Sequence, residues 1–175
     1  MANSESAVQI RYAGRDELSK VAAFLHESWQ EEYRQIISDD FLDTMSIAER
    51  HERLLKRFDD GTSDFLVMLD DSKLIGASVF GKSFTEGYEN DGEISAIYLQ
   101  HDYIGRGYGH TFFMRIEQEL AAKGYDYFVL DLLKDNARAL RFYLDHGYEN
   151  VADRQVRLGE IDYPLVVLRK KVLLI

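Results

Sequence analysis

The sequence predicts an α/β fold in which a mixed central sheet of about seven strands is flanked by about four helices. Two observations support this prediction. Strand-like segments alternate with amphipathic helical segments over the 175 residues, and a strand, a glycine-rich turn, a helix and another strand follow one another between residues 93 and 133. That order implies a parallel pair with a right-handed crossover, whereas hairpins on either side add antiparallel strands. The length predicts one domain over residues 1–175.

The first predicted elements are a strand and a helix. Residues 8–12 alternate apolar and polar side chains as a strand does, and Gly14 ends the strand. Asp16 is predicted to cap a helix that reaches about Tyr33, because its carboxylate can accept hydrogen bonds from the first N–H groups of that helix. An apolar stripe recurs every three or four positions along the helix, at Leu18, Val21, Ala22, Leu25 and Trp29.

A second helical region, a hairpin and a further strand come next. Ser38-Asp39-Asp40 is a helix start signal, and residues 47–58 carry apolar side chains on an otherwise charged helix. Strands are predicted at residues 65–69, 74–80 and 93–99. The first two form a hairpin, because only a short polar turn separates them.

The C-terminal half is predicted to contain two helices and three strands. Phe112, Ile116 and Leu120 repeat every four residues on a helix that Gly124 ends. Gly147 likewise stops a short helix that begins at Asn136. The strands of this half are predicted at residues 127–133, 149–157 and 162–170.

Composition limits the classes of function. The chain contains no cysteine, which excludes disulfides and cysteine chemistry and favours a cytoplasmic protein. The polar first eight residues are unlike a signal peptide, and no apolar run reaches the roughly 20 residues of a membrane span. A net charge of −10 argues against nucleic acid as a partner and suits a cationic small substrate. The five histidines lie too far apart in sequence to predict a metal site.

The strand at 93–99 runs into three closely spaced glycines, Gly105, Gly107 and Gly109. Glycine permits left-handed backbone and close approach of a ligand, and the next helix offers unpaired N–H groups, so this segment predicts a phosphate site. A P-loop is excluded, because His110 follows Gly109 where that motif needs lysine. A dinucleotide site, with Asp131 as the ribose-binding acid, stays open but has His110 in place of its third glycine. A turn that binds nothing is the third alternative.

A second motif favours one kind of phosphate ligand. Residues 136–148 read Asn-x-x-Ala-x-x-Phe-Tyr-x-x-x-Gly-Tyr, and they follow the glycine turn after a helix and a strand. From about residue 93 to residue 148 the two motifs together resemble the GNAT superfamily of N-acyltransferases, which use acetyl-CoA. The resemblance implies the acyl-CoA N-acyltransferase fold of that superfamily, with a parallel strand pair splayed at the cofactor site. It also implies acetyl-CoA as the cosubstrate.

The resemblance further implies which residues bind this cosubstrate. Main-chain N–H groups of residues 104–110 would hold the CoA pyrophosphate, and Ile104 departs from the family, which usually has a polar side chain there. Residues 97–99 would pair with the pantetheine arm as an added strand, and the N–H of Tyr98 or Leu99 would polarise the thioester carbonyl. The implied binding set is Ile97, Tyr98, Leu99, Ile104, Gly105, Arg106, Gly107, Tyr108, Gly109, His110, Asn136, Ala139 and Tyr143.

Acetyl transfer needs a proton acceptor for the amine, whose pKa is about 10.4 when free, and a proton donor for the departing thiolate. By resemblance, Tyr143 is the predicted acid. Glu93, on the strand before the glycine turn, is the predicted base, with an ordinary strand-edge carboxylate in an acidic neighbourhood as the alternative. Arg138 and Arg141 either meet CoA phosphates or are solvated surface charges.

The resemblance places the acceptor near the first two helices, the loop before Glu93 and the last hairpin. The candidate acceptor-binding side chains in these segments are aromatic or acidic, as suits a cationic amine: Trp29, Tyr33 and Tyr88, with Asp39, Asp40 and Tyr163. Trp29 is also a core candidate. We therefore expect acetyl transfer to a primary amine of a small molecule. A protein or peptide N-acetyltransferase and a non-catalytic CoA-binding sensor are the alternatives, and a homodimer is among the assemblies that the resemblance allows.

Overall fold

The computed structural model describes residues 8–173, and it contains one seven-stranded sheet. The strands are β1 Val8–Tyr12, β2 Ser63–Asp70, β3 Lys73–Lys82, β4 Gly92–Leu99, β5 Tyr127–Leu133, β6 Glu149–Leu158 and β7 Ile161–Lys171. Their order across the sheet is β1-β2-β3-β4-β5-β7-β6, and every neighbouring pair is antiparallel except β4 with β5. The predicted mixed sheet is confirmed. The polar start of the chain, from which the lack of a signal peptide was predicted, lies almost wholly outside the described residues.

Five α-helices flank the sheet within the described residues, where about four were predicted. They are α1 Leu18–Tyr33, α2 Asp39–Thr44, α3 Ile47–Asp59, α4 Tyr108–Ala122 and α5 Ala137–Asp145. The second helical region is two helices because Met45 is extended, at φ −70° and ψ 136°, and Ser46 starts a new helix by accepting a hydrogen bond from the Glu49 N–H at 3.3 Å. Ser38 caps α2 as predicted.

The start of α1 differs from the prediction that Asp16 caps it. Asp16 lies inside a short 3₁₀ turn, Arg15–Glu17, that precedes α1. Glu17 provides the local carboxylate contact instead, because its Oε2 accepts a hydrogen bond from the Gly14 N–H at 2.9 Å. Arg11 on β1 fixes this carboxylate through two further hydrogen bonds, at 2.9 and 2.8 Å. The strand is thereby tied to the beginning of the helix.

The parallel strands β4 and β5 touch only at their beginnings. Gly92 pairs with Phe128 and Glu93 pairs with Val129, and the two strands then diverge. On its other side β4 remains paired with β3, but the register shifts: Ile94 lies opposite Phe80 and Ala96 opposite Val79, which leaves Ser95 as a bulge. A bulge bends its strand, so it helps to turn β4 away from β5.

Helices on both faces bury the sheet. On one face α4 contributes Phe112, Phe113, Ile116 and Leu120, all without exposed surface, to the largest apolar cluster. On the other face the predicted stripe of α1 is buried from Leu18 to Leu25, and Leu54 of α3 packs beside it. Among the described helices, none is long and apolar enough to cross a membrane.

Candidate active site

A cavity of about 920 Å³ opens where β4 and β5 diverge. Its floor consists of residues 94–99 of β4 and 130–132 of β5, and its sides come from the end of α1, the glycine turn before α4, and α5. The cavity therefore exists because two parallel strands stop pairing after two residues. Binding sites in sheets of this kind lie at the carboxyl ends of parallel strands, as this one does.

The glycine turn forms one end of the cavity. Gly105 and Gly107 have left-handed backbone, at φ 79° and 87°, which residues with side chains rarely adopt. No atom lies within 4 Å of the position that a Cβ would take at either residue, so the space above the turn is open. Gly107 is the N-cap of α4, and the first helical hydrogen bond of that end joins the Thr111 N–H to the Gly107 carbonyl at 3.1 Å. The N–H groups of residues 108–110 consequently point out of the helix end unpaired, an arrangement that fits an anion such as a pyrophosphate.

The predicted cofactor residues around this turn divide into two groups. Ile104, Gly109 and His110 line the cavity together with the two left-handed glycines. Arg106 and Tyr108 do not line it within the described structure. The Arg106 guanidinium lies 5.7 Å from the ring centre of Tyr103. The positive charge of Arg106 thus lies at the glycine turn but outside the lining of the cavity.

His110 is joined to a residue that the sequence analysis did not single out. Its Nδ1 lies 2.8 Å from Nε2 of His146, whose own Nδ1 lies 2.7 Å from the Phe142 carbonyl oxygen. Because a carbonyl oxygen only accepts, Nδ1 of His146 carries a proton, and when this ring is neutral its Nε2 accepts the proton of His110 Nδ1. The pair links the first turn of α4 to the end of α5. No spacing rule in the sequence predicts a contact between residues 36 positions apart.

Asn136 connects the start of α5 with α1. Its Oδ1 accepts a hydrogen bond from the Ala139 N–H at 3.2 Å, which caps the helix, and its Nδ2 donates to the Tyr33 hydroxyl at 3.5 Å. Asn136 is buried, and both Asn136 and Ala139 line the cavity. The capping bond explains why a helix can begin here, immediately after β5.

Tyr143 lies on α5 and lines the cavity. Its ring packs against Phe113 of α4, with 5.6 Å between ring centres, while within the described residues its hydroxyl makes no hydrogen bond. Burial raises the pKa of the Tyr143 phenol above its usual value, and the nearby Tyr33 and Glu32 raise it further. The phenol is therefore protonated at neutral pH and has its proton available for a ligand in the cavity.

Two more tyrosines lie close to Tyr143. Tyr33 at the end of α1 and Tyr98 on β4 share a hydrogen bond between their hydroxyls, and both line the cavity. Burial is the main cause that raises the pKa of each phenol. The centre of the cavity therefore presents neutral hydroxyl groups, which suits the uncharged part of a substrate.

Glu93 accepts hydrogen bonds from five donors, four of which belong to the loop between β3 and β4. Its Oε2 accepts from the Ser83 hydroxyl at 3.1 Å, the Phe84 N–H at 2.7 Å, and the N–H and hydroxyl of Thr85 at 3.1 and 3.0 Å. Its Oε1 accepts from the Ser95 hydroxyl at 2.8 Å. Within residues 8–173 the cavity lining includes Ser95 but not Glu93. The carboxylate thus holds the loop at the side of the cavity.

Asp131 is a carboxylate in the cavity that the sequence analysis considered only as a ribose-binding acid. It lies on β5 two residues beyond the last pair with β4, is exposed to the cavity, and within the described residues makes no hydrogen bond or ion pair. Its surroundings raise the pKa of the carboxyl above its usual value, first because they exclude water from it and then because Glu93 repels its charge; Arg154 acts in the opposite direction. A lone aspartate inside an apolar strand was the sequence signal for this group.

The predicted acceptor residues are not gathered in one place. Tyr33 lines the cavity, whereas Trp29 packs on the Tyr33 ring at 4.5 Å, and the guanidinium groups of Arg154 and Arg169 lie 5.9 and 5.3 Å from the ring centre of Tyr88. The other candidates lie outside the lining: Tyr163 is buried and accepts a hydrogen bond from the Ser38 N–H at 2.9 Å, Asp39 pairs with Arg34, and Asp40 is exposed.

Acidic side chains outnumber basic ones in the lining of the cavity. Glu31 and Glu32 of α1 and Asp131 and Asp135 near the end of β5 all line it, and Arg138 is paired with Glu32 at 2.6 Å. Arg141 pairs with Asp145 on the surface of α5. Both arginines thus have carboxylate partners in this structure. No group of three or more His, Asp or Glu side chains in residues 8–173 is arranged to hold a metal ion.

Comparison with known proteins connects this site to one family. A family model described as the acetyltransferase (GNAT) family matches residues 22–148. A Bacillus subtilis (strain 168) protein named uncharacterized N-acetyltransferase YuaI is 27% identical over 161 residues, which cover 88% of this chain and 90% of that protein.

Two solved structures share the fold over nearly the whole chain. The PaiA N-acetyltransferase from Thermoplasma acidophilum, crystallised with coenzyme A, has a TM-score of 0.74 at 24% identity and covers 95% of this chain and 99% of its own. The putative acetyltransferase yncA from Salmonella typhimurium, crystallised with its cofactor acetyl-CoA, has a TM-score of 0.72 at 19% identity, with 95% and 94% covered. These similarities confirm the predicted fold.

Proposed function

The chain belongs to the acetyltransferase (GNAT) family, and on that premise we propose that it transfers an acetyl group from acetyl-CoA to a primary amine, which attacks the thioester directly. One observation carries the proposal. The hydroxyl of Tyr143, which has no hydrogen-bond partner among the described residues, lies in the same cavity as the anion-binding turn at Gly105 and Gly107. A proton donor and a phosphate site in one cleft are what a reaction with a CoA thioester requires.

The cavity fits an elongated phosphorylated cosubstrate. The N–H groups of residues 108–110 would hold its pyrophosphate, because they are unpaired and lie at the positive end of the α4 dipole. The edge of β4 from Ile97 to Leu99 would bind its arm through main-chain hydrogen bonds, since β5 has already diverged from that edge. Acetyl-CoA supplies an activated acyl group that needs only a nucleophile and a protonated leaving sulfur.

Tyr143 is proposed to donate the proton that the departing sulfur needs. Its raised pKa keeps the phenol protonated until the sulfur becomes basic. The N–H of Tyr98 or Leu99 is proposed to polarise the thioester carbonyl, as fixed main-chain donors do in acyl transfer. The sequence predicts Glu93 as the base that takes the proton of the amine, and Glu93→Gln tests that role.

The acceptor is proposed to be a cationic small molecule. Four carboxylates line the cavity, and one of them, Glu32, is paired with Arg138, which leaves the lining with a net negative charge. The whole chain carries a formal net charge of −10, which supports a cationic substrate over nucleic acid. A cytoplasmic location is proposed with it, on the ground that the chain contains no cysteine.

The test is release of free CoA thiol from acetyl-CoA with a panel of amines, polyamines, amino acids, aminoglycosides and peptides. Saturable release with one class identifies the acceptor, and we expect small cationic amines to be the best substrates. A preference for peptides would instead support the protein N-acetyltransferase alternative. Tight CoA binding without thiol release from any acceptor would refute the proposal in favour of a CoA-binding sensor.

A further inference from the structure

We propose that Asp131 is the carboxylate that receives the proton of the acceptor ammonium group, and that Glu93 acts on the reaction only through the loop it holds and through its charge. This assignment rests on the function proposed above. It concerns the division of roles between two carboxylates that the diverging strands place side by side on one face of the sheet. Val129 pairs with Glu93, and Asp131 is the next residue of β5 on the same face.

Position distinguishes the two carboxylates. Asp131 lines the cavity, together with Tyr143. Both of its oxygens are available to an ammonium group, because no described residue donates a hydrogen bond to them. A carboxylate that must bind a cation and take its proton has to be reachable, and Asp131 meets this condition.

Few lone pairs of the Glu93 carboxylate remain free to bind an ammonium group and take its proton. Four donors from residues 83–85 share its Oε2, and the Ser95 hydroxyl occupies Oε1. The Ser95 oxygen in turn accepts a hydrogen bond from the Arg57 guanidinium at 2.9 Å. Oε1 of Glu93 is thus linked through Ser95 to a cation. These hydrogen bonds hold the loop, so the Glu93 carboxylate is already engaged by the protein and is not free to bind an ammonium group.

Glu93 still influences Asp131 electrostatically. The groups that face Asp131 are Glu93 on β4, Arg154 on β6 and Tyr33 on α1. Exclusion of water and the charge of Glu93 raise the pKa of Asp131, while Arg154 lowers it. A raised pKa makes a carboxylate a better base, provided that it remains ionised at the working pH.

The proposed steps balance in atoms and protons. The ammonium group gives one proton to Asp131, and the nitrogen lone pair that is freed forms a bond to the thioester carbonyl carbon. The carbon–sulfur bond then breaks, and the sulfur takes the Tyr143 proton. The nitrogen loses its second proton to the Tyr143 oxygen, which restores the phenol. Asp131 releases its proton to solvent, so one proton is liberated for each amide formed.

The test is the pH dependence of kcat/KM, measured with the amine that releases thiol fastest in the panel above. In the wild type, kcat/KM is expected to level off well below the pKa of the amine, because Asp131 takes the proton. In Asp131→Asn only amine that is already deprotonated can react, so activity is expected to rise tenfold per pH unit up to the pKa of the amine. Asp126→Asn, a change of the same kind before β5 and outside the cavity, is expected to keep the wild-type profile.

Glu93→Gln separates the two carboxylates. Removing the negative charge of Glu93 lowers the pKa of Asp131, so the acidic limb of the profile is expected to move to lower pH while the plateau persists. A tenfold rise per pH unit in Glu93→Gln, with a plateau retained in Asp131→Asn, would overturn the assignment and make Glu93 the base. A tenfold rise in both variants would overturn the division of roles.

Two measurements check the proposal without turnover. The Asp131 carboxyl, followed by ¹³C NMR in protein labelled at aspartate, is expected to titrate at lower pH in Glu93→Gln than in the wild type, and an unchanged titration would contradict the electrostatic role of Glu93. Since the folded-state pKa of Asp131 is raised, its ionised form costs stability above that pKa, and Asp131→Asn is expected to keep or increase Tm at pH 7.

No thiol release by the wild type would refute the proposed function. Wild-type turnover with an unaltered Asp131→Asn profile would refute this assignment alone.

Discussion

Removal of the Tyr143 hydroxyl oxygen distinguishes a role in catalysis from a role in cofactor binding. In Tyr143→Phe the ring still packs against Phe113, so the position of α5 is retained and CoA affinity is expected to change less than twofold. Loss of the proton donor is expected to lower kcat by about 100-fold, the lower end of what general acid catalysis contributes. Steady-state kinetics and calorimetric titration of CoA measure the two quantities. Equal kcat in both proteins would remove Tyr143 from the mechanism.

Gly107 tests the anion-binding turn. Alanine at this left-handed position costs about 1–2 kcal/mol of stability, and its methyl group would point into the open space above the turn. CoA affinity is therefore expected to fall by at least about tenfold, or 1.4 kcal/mol.

Gly124 is the matched control for this change. It has nearly the same backbone conformation, at φ 88°, and the same open surroundings, but it lies after the far end of α4. Gly124→Ala is expected to lose similar stability and to bind CoA like the wild type. If both variants lost CoA affinity equally, the effect would arise from destabilisation and not from the turn.

At the scale of secondary structure, the position of α4 depends on a buried ion pair. Lys170 of β7 donates to both oxygens of Glu117 at 3.0 and 2.9 Å, and the Tyr148 hydroxyl donates to one of them at 3.0 Å. Glu117 is buried, so removal of its cation leaves an unpaired charge inside the protein.

Lys170→Met is expected to lower the free energy of unfolding by about 3 kcal/mol, measured by urea denaturation. The double variant Lys170→Met/Glu117→Gln removes both charges and keeps an acceptor for the Tyr148 hydroxyl, and it is expected to regain most of the loss. A double variant as unstable as the single one would show that packing of the lysine side chain, and not charge, is responsible.

Helices and turns that depend on local chemistry were predictable from the sequence. Gly107 and Gly147 mark helix ends through backbone conformation alone, and Asn136 caps α5 with its own side chain. The split between α2 and α3 was missed although Ser46 and Glu49 have the spacing of a helix start, because the signal at Ser38 was interpreted as the beginning of one helical region. Asp16 was the wrong cap because it lies inside a 3₁₀ turn, where the Glu17 carboxylate, held by Arg11 on another element, accepts the Gly14 N–H.

The contacts of the candidate site are mostly non-local, and these were less predictable. Four of the five donors to Glu93 come from residues 83–85, whose position is known only once β3 and β4 have paired. The exposure of Asp131 depends on where β4 and β5 part, which no residue pattern specifies. Sequence thus locates the glycine turn and α5, whereas the proposed roles of the carboxylates require the assembled sheet.

At the scale of the whole molecule, the negative charge of the protein is expected to affect cationic and zwitterionic acceptors differently. The chain carries a net charge of −10, and the lining of the cavity is acidic. Salt screens such attraction, so kcat/KM for a cationic amine is expected to fall several-fold, roughly three- to tenfold, between low and high ionic strength. The same measurement with a zwitterionic amino acid as acceptor is the control. A kcat/KM for the cationic amine that does not change with salt would contradict attraction by the acidic lining.

The brief contact between β4 and β5 also has a mechanical consequence. Only two pairs of residues join β4 to β5, so the described sheet contains a seam at which fewer residues are paired than at any of its other strand boundaries. Tension applied across the sheet would concentrate at this seam. A ligand that binds along the seam and contacts both strands would add bonds across it. We therefore expect occupancy of the cleft to stiffen the whole protein and not only its site.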